Sequence, residues 1–210
     1  MFVVLFEVQP KRSQWDRYLQ LAGMLRPELE RVPGFVENVR YESERTAGKL
    51  LSLSTWESEK ALVRWRTHAL HHDAQRQGRF EIFDDYHLRV GEVVTDTDHS
   101  DIPQTRLDVT EIGLAIAATV TEIPTDDDEF ESPPLSGECI DAELYVAIND
   151  APARLLLAHW KDADAATEWI ARRPVGSRHR QVRIIRDYGL GDRTEAPQYY
   201  PDLGDVPTST

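Results

Sequence analysis

LLSLSTWESEKALVRW, residues 50–65, and RLLLAHWKDADAATEW, residues 154–169, decide the reading of the fold. Each starts as a short apolar run, ends that run on a tryptophan, continues into an acidic helix start, and carries a second tryptophan nine residues after the first. The pairs are Trp56 with Trp65 and Trp160 with Trp169, and they stand 104 residues apart. Chance produces one tryptophan pair readily. It does not readily produce strand end, tryptophan, acidic helix start and second tryptophan together, so the chain reads as two copies of one unit.

Working outward in the first copy, Phe2 to Val8 is apolar and stops at Pro10, as a buried strand does. Tyr18, Leu19, Ala22, Leu25 and Leu29 then recur at three- and four-residue spacing, which predicts a helix up to the stop at Pro33-Gly34, with Pro27 as a kink point. Phe35 to Glu42 alternates, ERTAGK turns, and Leu50 to Trp56 alternates again, which is a hairpin. Ser58 to Ala74 contains no Gly or Pro and predicts one second helix. Phe83 to Val93 supplies the last strand and completes β-α-β-β-α-β, the split ferredoxin-like plan. The expected fold class is therefore α+β, two fused ferredoxin-like modules.

The expected divisions are a first module over 1–93, a polar linker over 94–106 (VTDTDHSDIPQTR), a diverged second module over 107–190, and an extended tail over 191–210. In the second module Glu143 to Ile148 and Val182 to Tyr188 are strands. Where the first module has its long helix, the second has Ile112 to Ile123 and then PTDDDEFESPPLSG, read as a solvated acidic loop over 124–138. Its carboxylates are closely spaced, but the glycine and final Glu of a calcium loop are not at the positions that motif needs.

The net charge of −13 is unevenly spread. Residues 1 to 93 balance 14 basic against 14 acidic side chains, and the remainder holds 10 against 23. So acidic a surface repels phosphate, which argues against nucleic acid and against an anionic membrane as partner. No apolar run approaches the roughly 20 residues of a membrane helix. MFVVLFEVQP has neither the basic start nor the cleavage site of a signal peptide, so a cytoplasmic protein is expected. With Cys139 alone there is no disulfide and no thiolate-rich metal site, and no resident metal is expected.

The candidate chemistry lies on the second helix of the first copy. Helical spacing puts Trp65, His68 and His72 on one face, with His71 beside His72 and Gln75 farther on. A histidine pair four residues apart can grip a metal or haem iron. Glu7 shares its strand face with Val3 and Leu5. Burial there would raise its carboxyl pKa toward the range of a general base; the alternative is that Glu7 pairs with an arginine at a sheet edge. Tyr41, Tyr86 and His87 lie on neighbouring strands and are candidates to hold an aromatic substrate.

TWESEKALVRWRTHALHHDAQRQGR (55–79) followed by FDDYHLRVGEV (83–93) resembles the antibiotic biosynthesis monooxygenase family. The resemblance covers residues 2 to 93 and reaches the second half through the tryptophan pair and the strand order. It implies a dimeric α/β barrel, here built within one chain, with a cavity between each sheet and its helices; a further homodimer is possible. It also implies a monooxygenase that uses molecular oxygen on an aromatic small molecule, or on haem. In haem-degrading members the site is an Asn on the first strand, the second Trp of W-x8-W, and a His ten residues later. Trp65 matches the tryptophan; Glu7 stands at the Asn position and Gln75 at the His position. His71 or His72 would then replace that ligand from one turn earlier, about 4.5 to 6 Å away. The expected catalytic residues are Glu7, Trp65 and His72. Haem, if used, would fall to His68, His71 and His72, and substrate to Tyr41, Trp65 and Tyr86. The alternative is a non-catalytic protein that binds haem or an aromatic ligand.

Overall fold

The first half of the computed structural model lays down Phe2–Pro10 (β1), Trp15–Glu30 (α1), Phe35–Ser43 (β2), Leu50–Trp56 (β3), Glu59–Arg66 (α2), Ala69–Gln77 (α3) and Phe83–Asp96 (β4). The second half supplies Ala117–Ile123 (β5), Cys139–Ala147 (β6), Arg154–Trp160 (β7), Ala163–Ala171 (α4) and Arg178–Gly189 (β8). The structure describes residues 1–123, 132–135, 137–148, 154–172 and 177–196. The acidic segment 124–131, with Ser136, and the tail beyond Ala196 lie outside the described residues, and so does most of the expected acidic loop.

The eight strands form one closed antiparallel barrel in the order β1-β3-β2-β6-β7-β5-β8-β4. Each half keeps its strands adjacent, as β4-β1-β3-β2 and β8-β5-β7-β6, the sheet order of the ferredoxin-like α+β fold. The registers repeat as well. Trp56 pairs with Phe2 and Phe35, and Trp160 pairs with Ala117 and Cys139. A register shift follows Phe35 on β2 and another follows Cys139 on β6. The halves meet along a short β2·β6 seam, where Tyr41 faces Ala147 and Ser43 faces Tyr145, and along a long β4·β8 seam. Closure leaves no edge strand among these eight to template aggregation.

Period-two alternation sorts the side chains. On β1, Val3 and Leu5 point inward, with Leu51, Leu53, Val120, Leu157 and Ile184, to fill the barrel. Phe2, Val4 and Phe6 point outward and pack beneath the helices. A fully buried leucine of this kind stabilises the fold by about 1.5–3 kcal/mol. Over the second sheet α4 is short, and Trp160 and Trp169, at a ring distance of 6.0 Å, help fill the space beneath it with small residues such as Ala117 and Ala166. Cys139 is buried at the start of β6, where burial pushes its thiol up to about 11 and keeps it unreactive.

One expectation is corrected. The segment Ser58 to Ala74 is not a single helix: it breaks at Thr67 and His68. Thr67 closes the last turn of α2, its N–H and its hydroxyl both donating to the Val63 carbonyl at 3.0 Å, and His68 turns extended with ψ 129° to become the cap of α3. The linker is also more structured than its composition suggests. β4 runs on to Asp96, and Thr105 and Arg106 donate backbone N–H groups to the fully buried Glu92 at 2.6 and 3.1 Å.

Candidate active site

Between the outer face of the first sheet and α1, α2 and α3 lies a cavity of about 250 Å³. Its walls are mostly apolar, with Val4 and Phe6 of β1, Leu21 and Leu25 of α1, and Leu62 of α2. Trp65 and His71 line it from α2 and α3. The break at His68 turns His71 onto Trp65: the rings stack at 4.2 Å and 12°. Nδ1 of His71 lies 2.9 Å from the Trp65 carbonyl oxygen. A carbonyl can only accept, so Nδ1 carries the proton and Nε2 keeps its lone pair. Burial pushes the His71 pKa down to about 4, and neighbouring His68 and His72 add to the effect, so the ring is neutral at pH 7.

The other expected residues are distributed differently. Tyr86 lines the cavity, and its hydroxyl accepts from Arg193 at 2.6 Å. His68 sits at the cap of α3, 5.6 Å from the Trp65 ring, with Nε2 3.9 Å from Glu28. His72 is half-buried and does not line the cavity, because the helix break carries it off the Trp65 face. Tyr41 packs inside the barrel, and His87 lies at the barrel mouth against Asp187.

Glu7 is the largest departure. It shares the inward face with Val3 and Leu5, as its strand position requires, but that face looks into the barrel and not toward the helices. There it meets Lys49 at 2.8 Å, Arg89 at 3.0 Å and the Tyr145 hydroxyl at 2.9 Å. Burial alone would raise its pKa. The charges of His159, Lys49 and Arg89 outweigh burial and hold the carboxyl down at about 2. The expected elevation toward a general base is therefore corrected: Glu7 is a firmly ionised partner in a buried network. Oxygens of Glu7, Asp141 and Glu143 lie within 4.8 Å of one another, but Lys49 bridges Glu7 and Glu143, and Arg45 reaches Asp141 and Glu143. The sequence missed the cavity's arginines, Arg40, Arg66, Arg79, Arg186 and Arg193, because they arrive from β2, α2, the turn after α3, β8 and the tail start.

A closed barrel of two four-stranded antiparallel sheets, with a mostly apolar chamber between the first sheet and its helices that Trp65 and His71 line, defines a protein of the ferredoxin-like α+β class. The sequence profile of the antibiotic biosynthesis monooxygenases matches residues 1–77. A jasmonate monooxygenase of Pyricularia oryzae is 37% identical over 226 aligned positions, covering 96% of this chain and 99% of its own. The chain belongs to the antibiotic biosynthesis monooxygenase family. Similarity to solved structures is weaker. A Nitrosomonas europaea protein assigned to these monooxygenases is 10% identical over 45% of this chain and all of its own, with a TM-score of 0.41. An anthrone oxidase-like protein is 11% identical over 93% of this chain and 96% of its own, with a TM-score of 0.38. Among the described residues no helix is long and apolar enough to cross a membrane.

Proposed function

We propose that this chain inserts one atom of dioxygen into a small, largely apolar organic molecule held in the cavity of the first half. The carrying observation is the stacked Trp65–His71 pair lining an apolar chamber of about 250 Å³. The apolar walls exclude water and orient the substrate, and Trp65 presents a flat face against which a ring can lie. Nε2 of His71, neutral and with its tautomer fixed by the Trp65 carbonyl, offers a lone pair that accepts a hydrogen bond from the substrate and orients it.

The relative from Pyricularia oryzae is named for jasmonate, which makes jasmonate the first substrate to test. An activated CH2 group closes the balance with dioxygen alone, giving C=O and water. An unactivated C–H giving C–OH and water needs two electrons from a nicotinamide donor. Oxygen uptake with jasmonate is therefore measured with and without NADPH. Uptake that falls at least tenfold in Trp65→Leu and His71→Phe supports the reading; unchanged uptake in both removes the cavity as the site.

Haem is a poorer fit. The cavity is small beside the roughly 300–1,000 Å³ of pockets that hold drug-sized ligands. Of the three helix histidines only His71 lines it, with one nitrogen committed to a carbonyl. The rival reading, a binding protein without turnover, gains support if jasmonate saturates the protein and no oxygen is consumed. We further read the repeated registers as the trace of a duplication, with modules at 1–93 and 107–190 joined by 94–106, in a chain that works in the cytoplasm.

A further inference from the structure

We infer that the cavity selects an organic anion, a monocarboxylate with an apolar body, and that its carboxylate is received by Arg186 and Arg193 of the second half beside Tyr86 and Tyr188. This rests on the cavity being the substrate site and adds to it the chemical class of the substrate.

The argument begins with charge that is not matched. The chain carries thirteen more acidic than basic side chains, yet five arginines line this one apolar chamber. The arginines of the barrel interior behave conventionally: Arg89, Arg178 and Arg180 each hold a carboxylate at 2.8–3.0 Å. In the chamber, Arg40, Arg186 and Arg193 pair with no carboxylate among the described residues. Nε of Arg40 and of Arg193 are buried and lack a hydrogen-bond partner there. The acids at hand are committed elsewhere. Glu59 lines the chamber but binds Arg106 at 2.5 Å, and Asp108, which feels the charge of Arg186, is also bound to Arg106 at 2.5 Å.

The half-buried Arg40 and Arg193 stay charged at a desolvation cost that a bound anion offsets, and the exposed Arg186 adds its charge from the solvent side. Geometry places the anion. Arg193 donates to the Tyr86 hydroxyl at 2.6 Å and its guanidinium lies 5.2 Å from the centre of the Tyr188 ring. Arg186 lines the same chamber as Arg193, Tyr86 and Tyr188, so the two guanidinium groups of the second half share that wall with both phenols. Arg186 is exposed and marks the mouth, while Tyr86 and Tyr188 are buried behind it. A carboxylate at that wall would be met by two guanidinium forks and two phenols, with its apolar body running inward toward Leu62 and Trp65. The second half, whose own helix face is filled by tryptophan and alanine, thereby completes the site of the first.

Titration calorimetry with jasmonic acid and its methyl ester, then with decanoic acid and its methyl ester, tests this. The acids should bind at least tenfold more tightly than their esters. Arg186→Gln combined with Arg193→Gln should bring that ratio near one while leaving ester affinity unchanged, and Arg193→Lys should keep most of the preference. Arg186 is exposed and forms no ion pair among the described residues, so Arg186→Gln alone should shift the ratio with an unaltered melting curve. Equal binding of acid and ester, no binding of either acid, or a preference that survives in the double variant would each overturn the inference. Acid-selective binding without oxygen uptake would leave it standing and remove the oxygenase reading instead.

Discussion

At the residue scale, position on a strand says which face a side chain takes but not what that face looks at. Glu7 sits on the face of Val3 and Leu5, as alternation requires. That face is the interior of a closed barrel, and only the partner strands of the other half reveal it. Removing its charge should cost about 1–3 kcal/mol of stability, because Lys49 and Arg89 lose a buried counter-ion, and should leave turnover in the cavity within a factor of a few. Thermal melts and oxygen uptake of Glu7→Gln check both, and a thousandfold loss of rate would make Glu7 the base after all. His159 gives a pH dependence. Burial, with Arg89 adding to it, holds its folded pKa at about 4, below the ordinary 6.5, so the unfolded chain takes up a proton that the folded one refuses. Its contribution is present above pH 6.5 and is lost as pH falls from there toward 4. The slope of melting temperature against pH in that window should flatten in His159→Gln, and an unchanged slope would assign the proton uptake elsewhere.

At the element scale, the tryptophan repeat made the strands and their order legible, since Trp56 and Trp160 end paired strands at matching registers. The break in the second helix was not legible. Residues 58–74 contain no Gly or Pro, and the break is a local change of backbone, with His68 N–H bonding the Trp65 carbonyl at 3.1 Å and His68 turning extended, that propensity does not register. That break decides which histidine meets Trp65: spacing named His68, His71 and His72 together, and the turn at His68 sets His71 against the Trp65 ring. The placement of α2 depends on Gly34, which has φ +87° and where an added Cβ would lie 2.7 Å from Cβ of Ala61. Gly34→Ala should destabilise the protein by at least about 1 kcal/mol and lower activity by moving Trp65. Denaturant unfolding and oxygen uptake measure the two effects, and a variant of wild-type stability would show that the contact is slack.

At the scale of the whole molecule, the barrel interior belongs to both halves, and the chamber of the first half takes Arg186, Tyr188 and Arg193 from the second. The long seam rests on Gly91, where a Cβ would collide with the Val182 side chain and lie 2.6 Å from the Arg183 carbonyl oxygen. Gly91→Val should therefore open β4·β8, and its loss of cooperative melting, followed by circular dichroism, would show that the seam holds the halves together. The arginines were the least legible part of the site, because their meeting depends on closure between strands about a hundred residues apart. The most direct test of the account is to fill the chamber: Ala22 lines it from α1, and Ala22→Trp would occupy the space of the substrate. Jasmonate-dependent oxygen uptake by this variant should disappear while its circular dichroism and the rate of the barrel-mouth variant His87→Ala stay as in the unaltered protein. A filled chamber that still turns over jasmonate would place the chemistry elsewhere in the molecule.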